Sequence, residues 1–169
     1  YYAFKAIYLH EMDRFRRTLM QSLLSPVLST SLYFIVFGSV IGGYVQKIDG
    51  ISYGSYIVPG LLMLTLLTQS ISNTSFGIFF PKFNGTMYEI LAAPISTLEI
   101  VLAFVGAGAT KTLIVGLMIF LTSTFFVEVE VKYPLLMIFL LVLVSFTFAL
   151  FGFLIGLMSS NFEQMSIIP

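Results

Sequence analysis

The side chains able to do chemistry are few in this sequence, and they do not cluster. There is a single histidine, His10, and no cysteine, which excludes disulfides, thiolate metal sites and a histidine metal cluster. The carboxylates are scattered, whereas a membrane enzyme gathers acids, histidines or metal ligands near one membrane face. No catalytic residue, cofactor site or metal site is therefore assigned. The stretch Val105-Gly106-Ala107-Gly108-Ala109-Thr110-Lys111-Thr112 has the outline of a phosphate-binding loop. That pattern needs glycine first and glycine just before the lysine. Here those places hold Val105 and Thr110, inside an apolar run. Energy from ATP, if used, has to come from a partner that binds the nucleotide.

Three polar features in apolar surroundings need an account. Lys111 lies within the run 100–127, and a lysine deep in hydrocarbon costs about 2.5 kcal/mol or more. That run is about 28 residues, or roughly 42 Å of helix. Its first turns then project from the membrane and Lys111 snorkels to the inner interface; the other reading turns Lys111 toward a polar internal pathway. Glu99 is not its partner on one straight helix, because twelve residues separate them by about 18 Å. Thr65, Thr68, Gln69, Ser72 and Asn73 fall within an arc of about 140° at helical spacing, with Leu66 on the other side. Such a stripe either bonds to neighbouring helices or walls a translocation path, and neither lets it face lipid. Glu11 breaks the apolar face of the N-terminal segment, either as a snorkelling carboxylate or in a buried pair with a basic partner.

These residues are carried by a strongly apolar chain. Hydrophobic residues make up 58%, charged residues 9%, and the mean hydropathy is +1.00. A soluble domain carries about 25% charged residues, so most of this surface faces something other than water. Eight basic and eight acidic residues cancel, which argues against nucleic acid as a partner. A bilayer core of about 30 Å needs roughly 20 apolar residues of helix. Four stretches qualify, about 23–44, 56–80, 100–127 and 135–158, and a fifth opens at 165–169. Lipid forces the backbone to satisfy its own hydrogen bonds, so these continuous runs are helices. The predicted fold class is all-α: a polytopic transmembrane helix bundle forming a single domain over 1–169. Starting at Tyr1 and stopping as a fifth run opens, the chain reads as a piece of a longer protein. Its first residues are too charged for a signal peptide. Over about 3–18, Phe4, Ile7, Tyr8, Met12, Phe15 and Leu19 share one helical face, and Lys5, His10, Asp13, Arg16 and Arg17 lie elsewhere. This predicts an interfacial amphipathic helix with basic residues toward lipid headgroups.

Lys5, Arg14, Arg16, Arg17 and Lys82 fall on one side of these spans, Lys47 and Lys132 on the other. That excess puts the N-terminus in the cytoplasm, and the loops 43–55 and 128–134 outside. The sequon Asn84-Gly85-Thr86 then lies in the cytoplasm and reads as chance. Gly38 with Gly42, and Gly152 with Gly156, fit the small-xxx-small motif of close helix packing.

The loop 81–96 is the most informative segment. Thr86 followed by Glu89 fits a capping box, Gly85 permits a turn, and Pro94 ends the helix by restricting Ala93. Met87, Ile90, Leu91 and Pro94 are apolar yet lie outside the membrane. The short helix either rests on the membrane surface or is a docking knob for a cytoplasmic partner, with Met87, Ile90 and Leu91 inserted.

At this loop the sequence resembles the permease subunit of ABC-2 type exporters. The resemblance rests on His10-Glu11-Met12-Asp13-Arg14-Phe15-Arg16-Arg17 with Leu24-Ser25-Pro26, on Val36-Phe37-Gly38, on Gly85-Thr86-Met87-Tyr88-Glu89-Ile90-Leu91 with Ala93-Pro94-Ile95-Ser96, and on Asn161-Phe162-Glu163-Gln164. It implies six spans, a dimer with a second permease copy, and ABC ATPase subunits docked from the cytoplasm of a bacterium. It also implies export of a polysaccharide, lipid-linked or drug-like amphiphile across the inner membrane. Thr86, Met87, Tyr88, Glu89, Ile90, Leu91 and Pro94 would form the ATPase-coupling helix; Glu11, Arg14, Phe15 and Arg17 would belong to the interfacial helix. The alternative is a secondary transporter or channel, for which Lys111 is the candidate ionisable group near the midplane.

Overall fold

A computed structural model describes residues 2–41, 47–48, 51–127, 129 and 131–167. Seven α-helices follow in order among them: α1 (Tyr2–Arg17), α2 (Leu19–Tyr33), α3 (Tyr53–Phe83), α4 (Thr86–Ala92), α5 (Thr97–Phe126), α6 (Pro134–Met158) and α7 (Phe162–Ile167). The α2 helix runs on as a π-helix over Phe34–Ile41. Strands β1 (Lys47–Ile48) and β2 (Ile51–Ser52) pair antiparallel but are too short to form a layer, so the fold is an all-α bundle. Leu19–Phe37, α3, α5 and α6 are long and apolar enough to cross a membrane, and they overlie the four apolar runs. Residues 42–44 at the end of the first predicted span, the Gly42 end of its glycine motif, residues 43–46 and 49–50 of the loop 43–55, and 168–169 lie outside the described residues.

Local chemistry sets the helix ends. Ser52 caps α3 by accepting from the Ser55 amide at 3.3 Å, an oxygen supplied to one of the free amides of the first turn. Pro134 opens α6, where the missing N–H costs nothing. At the other end of α6, the Lys82 ammonium donates to the carbonyls of Leu157 at 2.7 Å and Ser159 at 2.9 Å, placing a cation where the helix dipole is negative.

The bundle is built on α3. The α5 helix runs antiparallel to it, setting Gly108 against Thr74 and Gly116 against Leu66. The α6 helix runs parallel to it, with Gly152 against Ile71 and Gly156 against Ser75. A Cβ at Gly152 would fall 2.5 Å from the Ile71 carbonyl oxygen, and one at Gly156 2.6 Å from that of Ser75. The predicted packing role of this pair therefore holds: the two backbones nearly touch, and Ser70 adds a hydrogen bond to the Ser145 carbonyl at 2.6 Å. Two apolar clusters follow along the three helices. One joins Ile78, Phe104, Ala149 and Phe153, the other Leu62, Leu66, Val115, Ile119 and Leu141. Lys111 falls between them on α5.

Candidate functional site

The α1 helix lies against the bundle at the level of that gap. Its predicted face is the one turned inward: Phe15 is buried, Ile7 packs on the first cluster, and the Tyr8 hydroxyl donates to Thr110 Oγ1 at 3.0 Å. The apolar stripe is thus spent on protein contacts with α5 and α3, where the amphipathic pattern alone suggested lipid. Glu11 sits in this stripe because it has a buried partner. Its Oε2 accepts from Lys111 Nζ at 2.7 Å and from Arg14 Nη2 at 2.8 Å. Glu11 is 2% exposed and Lys111 3%, so Lys111 does not snorkel to the surface: the acid comes to it from α1. Gly77 on α3 lies beside the pair, where an added Cβ would meet the Glu11 carboxylate at 3.4 Å, an ordinary contact. Arg14 also lies over the Phe76 ring, 5.5 Å from its centre, a favourable cation–π placement. Arg17 points outward and is exposed.

Beside this cluster a cleft opens between α2 and α3. Its inner part is a cavity of about 590 Å³ lined by Arg14, Lys111, Phe15 and Phe76 together with polar residues of both helices. A second cavity of about 200 Å³ continues it along the same two helices. The span-two stripe faces this cleft: Thr68, Ser72 and Asn73 line the first cavity, Thr65 and Gln69 the second. Within the stripe Asn73 donates to Gln69 Oε1 at 3.4 Å, and Thr65 and Thr68 bond to their own helix carbonyls. Opposite stands a ladder that the sequence reading missed. Thr18 at the N-cap and Ser22, Ser25, Ser29 and Tyr33 of α2 line the two cavities. Their spacing of three to four residues is the helical period, which is the signal that was there to be read. Leu66, across the helix from the stripe, is 1% exposed and packed against Gly116.

The α4 helix forms, but not through the expected capping box. Gly85, with φ +80°, is its N-cap, and no side-chain cap bond is made. Thr86 is already the first residue of the helix and not its N-cap, so its hydroxyl is not placed to accept from the amide three residues on as the box requires; the left-handed backbone of Gly85 makes the entry instead. Ala93 is extended (φ −74°, ψ 148°), as a residue before proline must be. The three apolar residues expected to dock together are divided. Met87 and Ile90 are partly buried on the first cluster, while Leu91 is 62% and Tyr88 78% exposed. Glu89 is exposed as well.

Residues 2–169 match the family described as ABC-2 type transporter. The chain belongs to this family. It is 36% identical over 167 residues to proteins named inner membrane transport permease YadH from Escherichia coli strain K12, Escherichia coli O157:H7 and Shigella flexneri. The alignment takes in 99% of this chain and 65% of each relative, so the chain spans somewhat less than two thirds of their length. No solved structure matches it.

In this ABC-2 type chain the four stretches that carried the resemblance occupy distinct places. His10–Arg17 forms the second half of α1 and brings Glu11 and Arg14 to Lys111. Gly85–Ser96 forms α4 and the turn into α5. Phe162 of the last stretch packs edge-on against Phe79 and Phe83, with ring centres 4.8 and 5.1 Å apart, and Gln164 accepts from the Ser160 amide at 2.9 Å. The second, Val36-Phe37-Gly38, lies in the π-helical segment. Among the described residues no group of histidines, cysteines or carboxylates has metal-site geometry.

Proposed function

We propose that this chain is the membrane-spanning permease part of an ATP-driven exporter in a bacterial inner membrane, working as a dimer with a separate cytoplasmic ATPase. The reading is carried by the family match over residues 2–169 and is supported by a short helix that exposes Tyr88 and Leu91 beside Glu89. The N-terminus would be cytoplasmic. ATP binding and hydrolysis would belong to the partner, and α4 would transmit its movement through Tyr88 and Leu91, backed by Met87 and Ile90 against the bundle. The polar cleft between α2 and α3 would form part of the route of an amphiphilic substrate. The secondary-transporter alternative relied on Lys111 as a titrating group in the membrane; its close pairing with Glu11 weakens that reading.

Copurification tests the proposal. Leu91→Asp in the full-length protein places a charge where an apolar side chain would enter the ATPase. Unpaired charges are strongly disfavoured in such places, and interface anchors can each contribute more than about 2 kcal/mol. The mutant should insert at native levels and lose its ATPase. Normal recovery of the ATPase with Leu91→Asp and with Tyr88→Asp would show that α4 does not dock it.

A further inference from the structure

We infer that the cavity at Arg14 and Lys111 is a binding site for the anionic headgroup, of the phosphate class, of a membrane amphiphile. The described residues lining it include two cations and no acid. Glu11 sits behind them and gives both the same oxygen, so one positive charge is left without a counterion in the cluster. In a low-dielectric setting such an excess is unfavourable, and a bound anion relieves it. Arg14 is the exposed member, with a quarter of its side chain accessible, and a guanidinium has five N–H donors, of which only part is taken by Glu11. Beside the cations the Ser72 hydroxyl and the second amide hydrogen of Asn73 can donate to phosphate oxygens, since Thr18 and Ser22 already donate within the protein, while Phe15, Phe76 and Met165 offer apolar walls. The volume of about 590 Å³ is that of an ordinary small-ligand site. The cavity lies beside the junction of α1 and α2, at the start of an apolar stretch long enough to cross a membrane. The headgroup could be brought by a resident phospholipid or by the transported molecule; only the second source rests on the permease reading.

The test uses the full-length protein with its ATPase in phosphatidylcholine nanodiscs. A fluorescent phosphatidic acid is compared with a diacylglycerol of the same chains. Wild type should bind phosphatidic acid at least tenfold more tightly. Arg14→Gln should remove that preference and Arg14→Lys should keep most of it. Since Arg14 also touches Glu11, Ser72→Leu is the second variant: it fills the cavity from an exposed position and should weaken phosphatidic acid binding about tenfold with the ion pairs intact. Equal binding of the two lipids by wild type, or a preference retained in both Arg14→Gln and Ser72→Leu, overturns the site. ATP-driven appearance of the labelled lipid in the outer leaflet assigns the site to transported molecules, and binding without movement assigns it to a resident lipid; both uphold it. Failure of the ATPase to associate refutes the permease reading and leaves the lipid preference standing.

Discussion

Replacing Glu11 with Gln removes the acid that two cations share. Arg14 and Lys111 each lie within 2.8 Å of Glu11 Oε2, so the two cationic nitrogens are at most about 5.5 Å apart, where like charges repel by about 3 kcal/mol at an effective dielectric constant of about 20. Lys111→Met is a different case: Glu11 keeps Arg14, and the new side chain is apolar and of similar length. The double variant Glu11→Gln/Lys111→Met removes the buried pair altogether, a change that is often neutral or stabilising. The expected order of stability is therefore double variant at or near wild type, Lys111→Met lower, Glu11→Gln lowest. For a protein of this size a loss of about 3 kcal/mol corresponds to a fall in Tm of roughly 6–12 °C. The assay is the fraction of full-length protein remaining monodisperse in detergent after heating. A Glu11→Gln protein melting within about 2 °C of wild type, a small shift on the same scale, would refute the argument, as would a Lys111→Met protein less stable than Glu11→Gln.

Gly152→Leu should abolish folded protein, because the Ile71 backbone occupies the space, whereas Gly60→Ala, with nothing within 4 Å of its added carbon, should be neutral or gain up to about 1 kcal/mol; recovery from membranes after mild heating compares them. Single cysteines at Gly50 and Lys132 should react with an impermeant reagent outside intact cells, and those at Gly85 and Asn161 should be protected; reaction at Gly85 from outside would reverse the assigned orientation. Gln69→Leu and Asn73→Leu should lower transport at least tenfold without lowering membrane levels. The proper control is Leu117→Ile on an exposed face of α5, since Leu66 is a core residue.

The four membrane-crossing helices were legible because bilayer thickness imposes a length that composition reports directly. The inner face of α1 was legible for a related reason: Phe4, Ile7, Tyr8 and Phe15 recur at the helical period. The partner of that face was not, because periodicity says that a stripe is buried and not what buries it. Glu11 and Lys111 each looked anomalous alone. Nothing local joins residues separated by 100 positions, and weighing Lys111 by itself led to snorkelling. The capping box at Thr86 failed through a shift of one position, since glycine at 85 can take the positive φ that starts the helix earlier. Met87, Ile90 and Leu91 could not be sorted on α4 because a two-turn helix gives no core side until its neighbours are placed. The α2 ladder was readable in principle, but serines in a membrane helix bond to their own backbone at little cost and attract no notice until a cleft is seen beside them.

The Glu11–Lys111 pair also sets an order of assembly. Glu11 is synthesised 100 residues before the lysine that neutralises it. While α1 and α2 emerge from the ribosome, its carboxylate has Arg14 for company and is best kept in water at the membrane surface. Lys111 arrives only with α5, itself costly to insert alone, and each charge becomes easy to bury once the other is present. Although α1 is made before α5, it therefore takes its final place only after α5, and the seating of α1 marks the moment at which α5 has entered correctly.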